Sequence, residues 1–135
     1  MRISLDIEGV DDMIKRLERA GKDVEKATTK ALRAGARVLA EGMKEEVPVS
    51  DIEHLHIRDD IKVRQTPKKE RLPGVISYDI GPGKETAWRA RFVHDGFVSR
   101  NGRFVRGNPF ATRAFRLKRE AITNAIIREY QKALR

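Results

Sequence analysis

From Gly21 to Pro48 the chain holds one helical period, and much of its stripe is alanine or glycine: Ala31, Ala34, Gly35, Ala36, Ala40 and Gly42. Small residues at those positions let another element approach closely, so this stretch reads as a long helix built to be packed against. Pro48 stops it, because proline and the residue before it both resist helix. Gly21 separates it from a shorter helical stripe carrying Val10, Met13, Ile14 and Leu17. Residues 2–8 alternate polar and apolar, with Ile3, Leu5 and Ile7 on one face, which reads as a short half-buried strand ended by Gly9.

Downstream, Asp60 to Arg64 and Val75 to Ile80 alternate again, separated by a polar loop of about ten residues and closed by Gly81-Pro82-Gly83. Strand, loop, strand predicts an antiparallel hairpin. Residues 87–98 hold Trp88, Phe92, Val93, Phe97 and Val98, a patch compatible with strand or short helix. Asn101-Gly102 is a two-residue turn signal between Phe97-Val98 and Phe104-Val105. Asn108 reads as an N-cap with Pro109 in the first helical position, and Phe110, Ala114, Leu117, Ala121, Ala125 and Ile126 carry a helix to the end. With no repeat and no linker, the expectation is one domain over residues 1–135. Its class is α+β: an N-terminal strand, a long Ala-rich helix, a small antiparallel sheet with a hairpin, and a C-terminal helix packed on the sheet. A hydrophobic fraction of 39% against 36% charged residues implies a thin core, or a subunit that completes its burial against copies of itself.

Charge is segregated. Residues 86–135 hold 12 Lys and Arg against 3 Asp and Glu, a net +9, while residues 1–85 hold 17 of each and sum to zero. A basic region of this kind is a contact surface for something anionic, either nucleic acid or an acidic protein face. Eight of its ten arginines, Arg89, Arg91, Arg100, Arg103, Arg106, Arg113, Arg116 and Arg119, are the candidate interaction residues, since the planar guanidinium suits bidentate contact with phosphate or carboxylate. Trp88, Phe92, Phe97 and Phe104 lie between them. These aromatics are expected to form the core under the hairpin, with stacking on bases as the competing reading.

Enzymatic chemistry finds little support. The absence of cysteine removes disulfides, thiolate nucleophiles and Cys-ligated zinc. No apolar run approaches membrane-spanning length, so no membrane association is expected. Gly81-Pro82-Gly83-Lys84 fails the phosphate-loop pattern, with Tyr78 where the first glycine belongs and Glu85 where the hydroxyl belongs. His54 and His56, beside Asp51, Glu53, Asp59 and Asp60, form the only dense set of metal-ligand types, but solvated loop side chains give the same residues at no cost and are the favoured reading. His94-Asp95 has a one-residue offset that suits mutual orientation poorly, and no nucleophile recurs near it. No catalytic residue, metal or cofactor is assigned.

The ordered set of "IEGVDDMIKRLERAG", "KEEVPVSD", "HLHIRDDIKV", "IGPG", "ARFVHDGF" and "GNPFATRAFRLKREAITNAIIREYQKAL" resembles the tail-completion or head–tail joining proteins of long-tailed phages and their prophages, the minor tail component family. The family's Pro-Phe-x-x-x-Ala element is kept as Pro109, Phe110 and Ala114. Before the turn, His94 stands where the family commonly has glutamate and Phe97 where it has threonine, around Gly96. Pro48-Val49 keeps the start of a Pro-Val-x-x-Gly-x-Leu stretch without its glycine. The resemblance implies an α+β subunit without catalysis, located in the neck or tail of a virion and assembled in the bacterial host cytoplasm. Its implied structural positions are Gly96, Pro109 and Phe110. The implied partners are copies of itself, in a ring for example, and phage connector and tail proteins, with non-specific contact to DNA. Two other functions compete: a soluble DNA- or RNA-binding module using the arginine turn and C-terminal helix, and a metal-dependent nuclease using His54 and His56.

Overall fold

The computed structural model describes residues 9–51, 53–73 and 75–135; the strand expected over residues 2–8 lies outside them. Helix α1 (Val10–Arg19) ends in a Schellman turn. Gly21, at φ +70°, donates to the Glu18 carbonyl while Lys22 donates to that of Leu17. This is the break that Gly21 predicts. Helix α2 (Val24–Glu46) opens where the Asp23 carboxylate accepts the Lys26 N–H at 3.1 Å. It closes at Val47, which turns extended ahead of Pro48.

Two stripes of α2, about 100° apart around the helix axis, do different work. One contains Thr28, Gly35, Gly42 and Glu46 and receives helix α4 (Phe110–Leu134) running antiparallel to it. The Tyr130 hydroxyl donates to Thr28 Oγ1 at 3.0 Å, and Arg113 meets Glu46 at the other end. Between them Ile126 lies over Gly35 and Lys118 over Gly42, so close that a Cβ on either glycine would fall within 3 Å of the facing side chain. The element that the small residues admit is therefore α4. The second stripe follows Thr29 through Ala36, Ala40, Met43 and Val47. The Thr29 carbonyl accepts the Tyr78 hydroxyl at 3.3 Å, which anchors the antiparallel hairpin of β1 (Ile61–Gln65) and β2 (Tyr78–Pro82) beside α2.

Among the described residues, four α-helices and two small antiparallel sheets make the α+β class plain. One detail is corrected: the C-terminal helix packs along α2, and it is α2 that the sheet meets. Alternation identified the sheet's buried face, whereas the choice of cover depended on which helix had two receptive sides. The core joins Met13 and Leu17 of α1, the small residues of α2, Ile57 and Ile61, Ala90, and Phe110, Ile122, Ile126 and Tyr130 of α4.

Candidate interaction surface

The basic third begins where β2 leaves the sheet and turns into α3 (Ala87–Asp95). Its position depends on a buried carboxylate. Asp60, 5% exposed, accepts from the Thr86 hydroxyl at 2.8 Å and sits 3.4 Å from Lys62 Nζ; its carbonyl takes the Gly83 N–H. Gly83 has to be glycine here, since a Cβ would lie 2.7 Å from Asp60 Oδ1. The Thr86 hydrogen bond holds the Asp60 pKa below the ordinary carboxylate value, with Lys62 assisting and burial opposing. A carboxyl whose folded pKa is depressed stabilises the fold above its unfolded pKa of about 4, and that contribution is lost as pH falls through the folded value. Asp60→Asn is therefore expected to melt below the wild type at pH 7, with the gap closing on acidification. Thermal melts from neutral to strongly acidic pH check this, and a gap unchanged by pH would refute the assignment.

Where the chain leaves α3, two backbones cross at contact distance. A Cβ on Gly96 (φ +81°) would lie 2.6 Å from the Val105 carbonyl oxygen, and one on Gly107 would lie 2.6 Å from that of His94. His94 Nδ1 and Asp95 Oδ1 are 2.8 Å apart, so the two side chains do meet despite the one-residue offset. That hydrogen bond is the main reason the Asp95 pKa lies below its ordinary value, with the Arg91 charge a smaller contributor. The His94 ring meets Phe110 edge-on at 5.4 Å, and its Nε2 is buried with no hydrogen-bond partner among the described residues. The imidazole is thus enclosed at a joint. Phe110, 2% exposed, is the plug of that joint.

Asn108 does not cap α4, contrary to the sequence expectation. Its N–H donates to the Val93 carbonyl, its side-chain oxygen finds no partner among the described residues, and Pro109 takes the N-cap position at ψ 66°. The helix starts one residue later because the Asn108 carbonyl is occupied by the Phe110 N–H in a tight turn.

Between these crossings β3 (Gly96–Val98) and β4 (Phe104–Arg106) form a projecting antiparallel ribbon. Ser99 donates to the Arg103 carbonyl and Gly102, at φ +77°, to that of Ser99. The Asn101-Gly102 signal thus builds a three-residue loop with glycine in the left-handed position. The aromatics are not a core under this hairpin. Trp88 is 62% exposed and Phe104 67%, and Phe92 and Phe97 are exposed as well. Trp88, Phe92 and Phe97 instead stack edge-to-face in a row along the surface, at 6.5 and 5.5 Å. Phe104 takes no part in that row, and the body that the four aromatics would cover is filled by α2, α4 and the first sheet.

The eight arginines divide. Arg100, Arg103 and Arg106 are exposed on the ribbon, Arg91 is exposed on α3, and Arg116 and Arg119 are exposed on α4. Arg89 donates to the Leu55 carbonyl and so ties α3 to the segment before β1. Arg113 is committed internally: Nε lies 2.6 Å from Glu46 Oε2 and Nη2 donates to the Glu46 carbonyl at 3.1 Å. It serves as a remote cap on the C-terminus of α2. Arg113→Ala is expected to cost about 1–2 kcal/mol, while Arg116→Ala and Arg119→Ala stay within about 0.5. Urea denaturation of the three variants measures this, and equal losses in all three would contradict it. No sequence signal marks Arg113 apart from the other seven.

The His54 and His56 rings lie 5.0 Å apart, and among the described residues no group of three or more His, Asp or Glu is placed to hold a metal ion. Nor is any helix among them long and apolar enough to cross a membrane. Residues 11–96 match the family described as "Bacteriophage HK97-gp10, putative tail-component", which is more than half of the chain. The chain belongs to this family. Its role is accordingly structural, as a phage tail component, and membership implies a place in the virion. The matched span takes in α1, α2, the first sheet and α3 and stops at Gly96, where the ribbon begins. No curated protein and no solved structure matches the chain.

Proposed function

We propose that this chain is a non-enzymatic building block that acts at the head–tail junction or tail end during tail completion, associating with itself and docking through its basic C-terminal third. Family membership supports the setting. The observation that carries the docking surface is the exposure of Arg100, Arg103 and Arg106 on a ribbon that stands away from the core, with Arg116 and Arg119 exposed further along the same basic third. Surface this cationic repels itself in an isolated subunit, and an acidic neighbour relieves that. The test is assembly in the host. Without the chain, filled heads and tails are expected to accumulate unjoined. Supplying Arg100→Glu/Arg103→Glu/Arg106→Glu should fail to restore joined particles, and full restoration by that variant would sink the proposal.

The exposed row of Trp88, Phe92 and Phe97 gives one reason to keep a second reading, a nucleic-acid contact made by aromatics and arginines together. It requires tight binding whose logarithm falls linearly with the logarithm of salt concentration. Oligonucleotide binding already gone at physiological salt would dismiss it.

A further inference from the structure

The β3–β4 ribbon is apolar on both faces. Directly opposed residues share a face and neighbours along a strand alternate, so Phe97 and Val105 make one face and Val98 and Phe104 the other. All four are exposed, Val98 at 68% and Phe104 at 67%. The Phe97–Val105 face leans on Phe92 of α3 and is the less exposed of the two, at 39% and 38%, whereas nothing among the described residues covers the Val98–Phe104 face. Two strands alone are marginally stable in water, and among the described residues no further strand pairs with either edge of this one. Apolar, arginine-bearing and without lysine, residues 96–106 have the make-up of a protein-contact core. Phosphate contacts would use the arginines and leave Val98 and Val105 without purpose.

The same chain offers an opposite surface. Residues 49–59 carry Asp51, Glu53 and Asp59 against Arg58, with Val49 44% and Leu55 42% exposed. Among the described residues, neither Asp51 and Glu53 nor Arg100, Arg103 and Arg106 form an ion pair. We propose that the ribbon of one copy docks against the surface carrying Val49, Asp51, Glu53 and Leu55 of a second copy, its open Val98–Phe104 face covered by the neighbour and its arginines set against the neighbour's acids. This rests on the self-association reading above and specifies its contact. Because donor and acceptor surfaces differ, each copy gives a ribbon and receives one, the head-to-tail arrangement that closes into a ring or runs on as a filament.

Light scattering on the full chain across a concentration series tests it. The wild type is expected to associate, and Val98→Ser/Phe104→Ser to weaken association at least tenfold with its melting temperature unchanged. Arg103→Glu/Arg106→Glu and Asp51→Lys/Glu53→Lys should each stay monomeric alone, through like-charge repulsion, and associate when mixed. Association of the wild type with no loss in the ribbon variants, or no recovery on mixing, overturns the ribbon contact and leaves self-association standing. A wild type that stays monomeric throughout overturns both. Ribbon variants that lose only salt-sensitive oligonucleotide binding would make the ribbon a nucleic-acid contact and overturn the proposal.

Discussion

Truncating Phe110 to alanine is expected to remove about 3–5 kcal/mol of stability, a large part of the roughly 5–15 kcal/mol that holds a domain of this kind together. The ring is 2% exposed at the first residue of α4 and touches His94 edge-on. Around it the Asn108 N–H reaches the Val93 carbonyl and the Phe110 N–H reaches that of Asn108. Loss of the ring leaves a void where α3, the Gly96–Gly107 crossing and α4 converge, and backbone contacts this tight collapse poorly into a void. The urea midpoint should fall by roughly 1–3 M. Phe104→Ala is the matched control: the same truncation on a residue 67% exposed should change stability by less than about 0.5 kcal/mol. A Phe110→Ala loss below about 1 kcal/mol, or equal losses at both sites, would mean that the joint is not what the geometry makes it.

The contrast between those two phenylalanines shows where sequence reading stops. Local chemistry was legible: Gly21 ends α1 through its left-handed conformation and Pro48 ends α2, each by a rule confined to a few residues. The alanines and glycines of α2 announced a close approach without naming what approaches. Nothing within a single window says that α4 fills that groove, because the decisive contacts pair residues such as Glu46 and Arg113, 67 positions apart. For the same reason spacing could not separate Phe110 from Phe104, since burial belongs to the neighbours a residue finds. The Asn108-Pro109 signal places the helix start one residue early, because Asn108 is held by the Val93 carbonyl of a different element and its own carbonyl is taken by the Phe110 N–H. The candidate site was half legible: the arginines stand out by count, but the exposure of the ribbon does not.

Gly35→Leu is the second large expected effect, a net loss of about 2–3 kcal/mol. At Gly35 a Cβ would meet Ile126 Cδ1 and Cγ1 at 2.9 Å and Ile122 Cγ2 at 3.3 Å, and both isoleucines are 5% exposed with no room to withdraw. Leaving glycine favours the helix by about 1 kcal/mol, so the steric term has to exceed that before a loss appears. With a whole leucine it does, because α2 and α4 have to separate along their common seam. Gly42 supplies the comparison. Its nearest obstacle is Lys118 Cγ at 2.8 Å, on a side chain one third exposed and paired with Glu45, whose stem can swing outward. Gly42→Ala should therefore be neutral or stabilising by up to about 1 kcal/mol. Melting temperatures should fall by roughly 6–15 °C for Gly35→Leu and hold or rise for Gly42→Ala. Pairing Gly35→Ala with Ile126→Val should recover stability beyond the sum of the two single changes, a coupling of about 0.5 kcal/mol or more. Strict additivity in that cycle would show that the two helices do not meet at these residues.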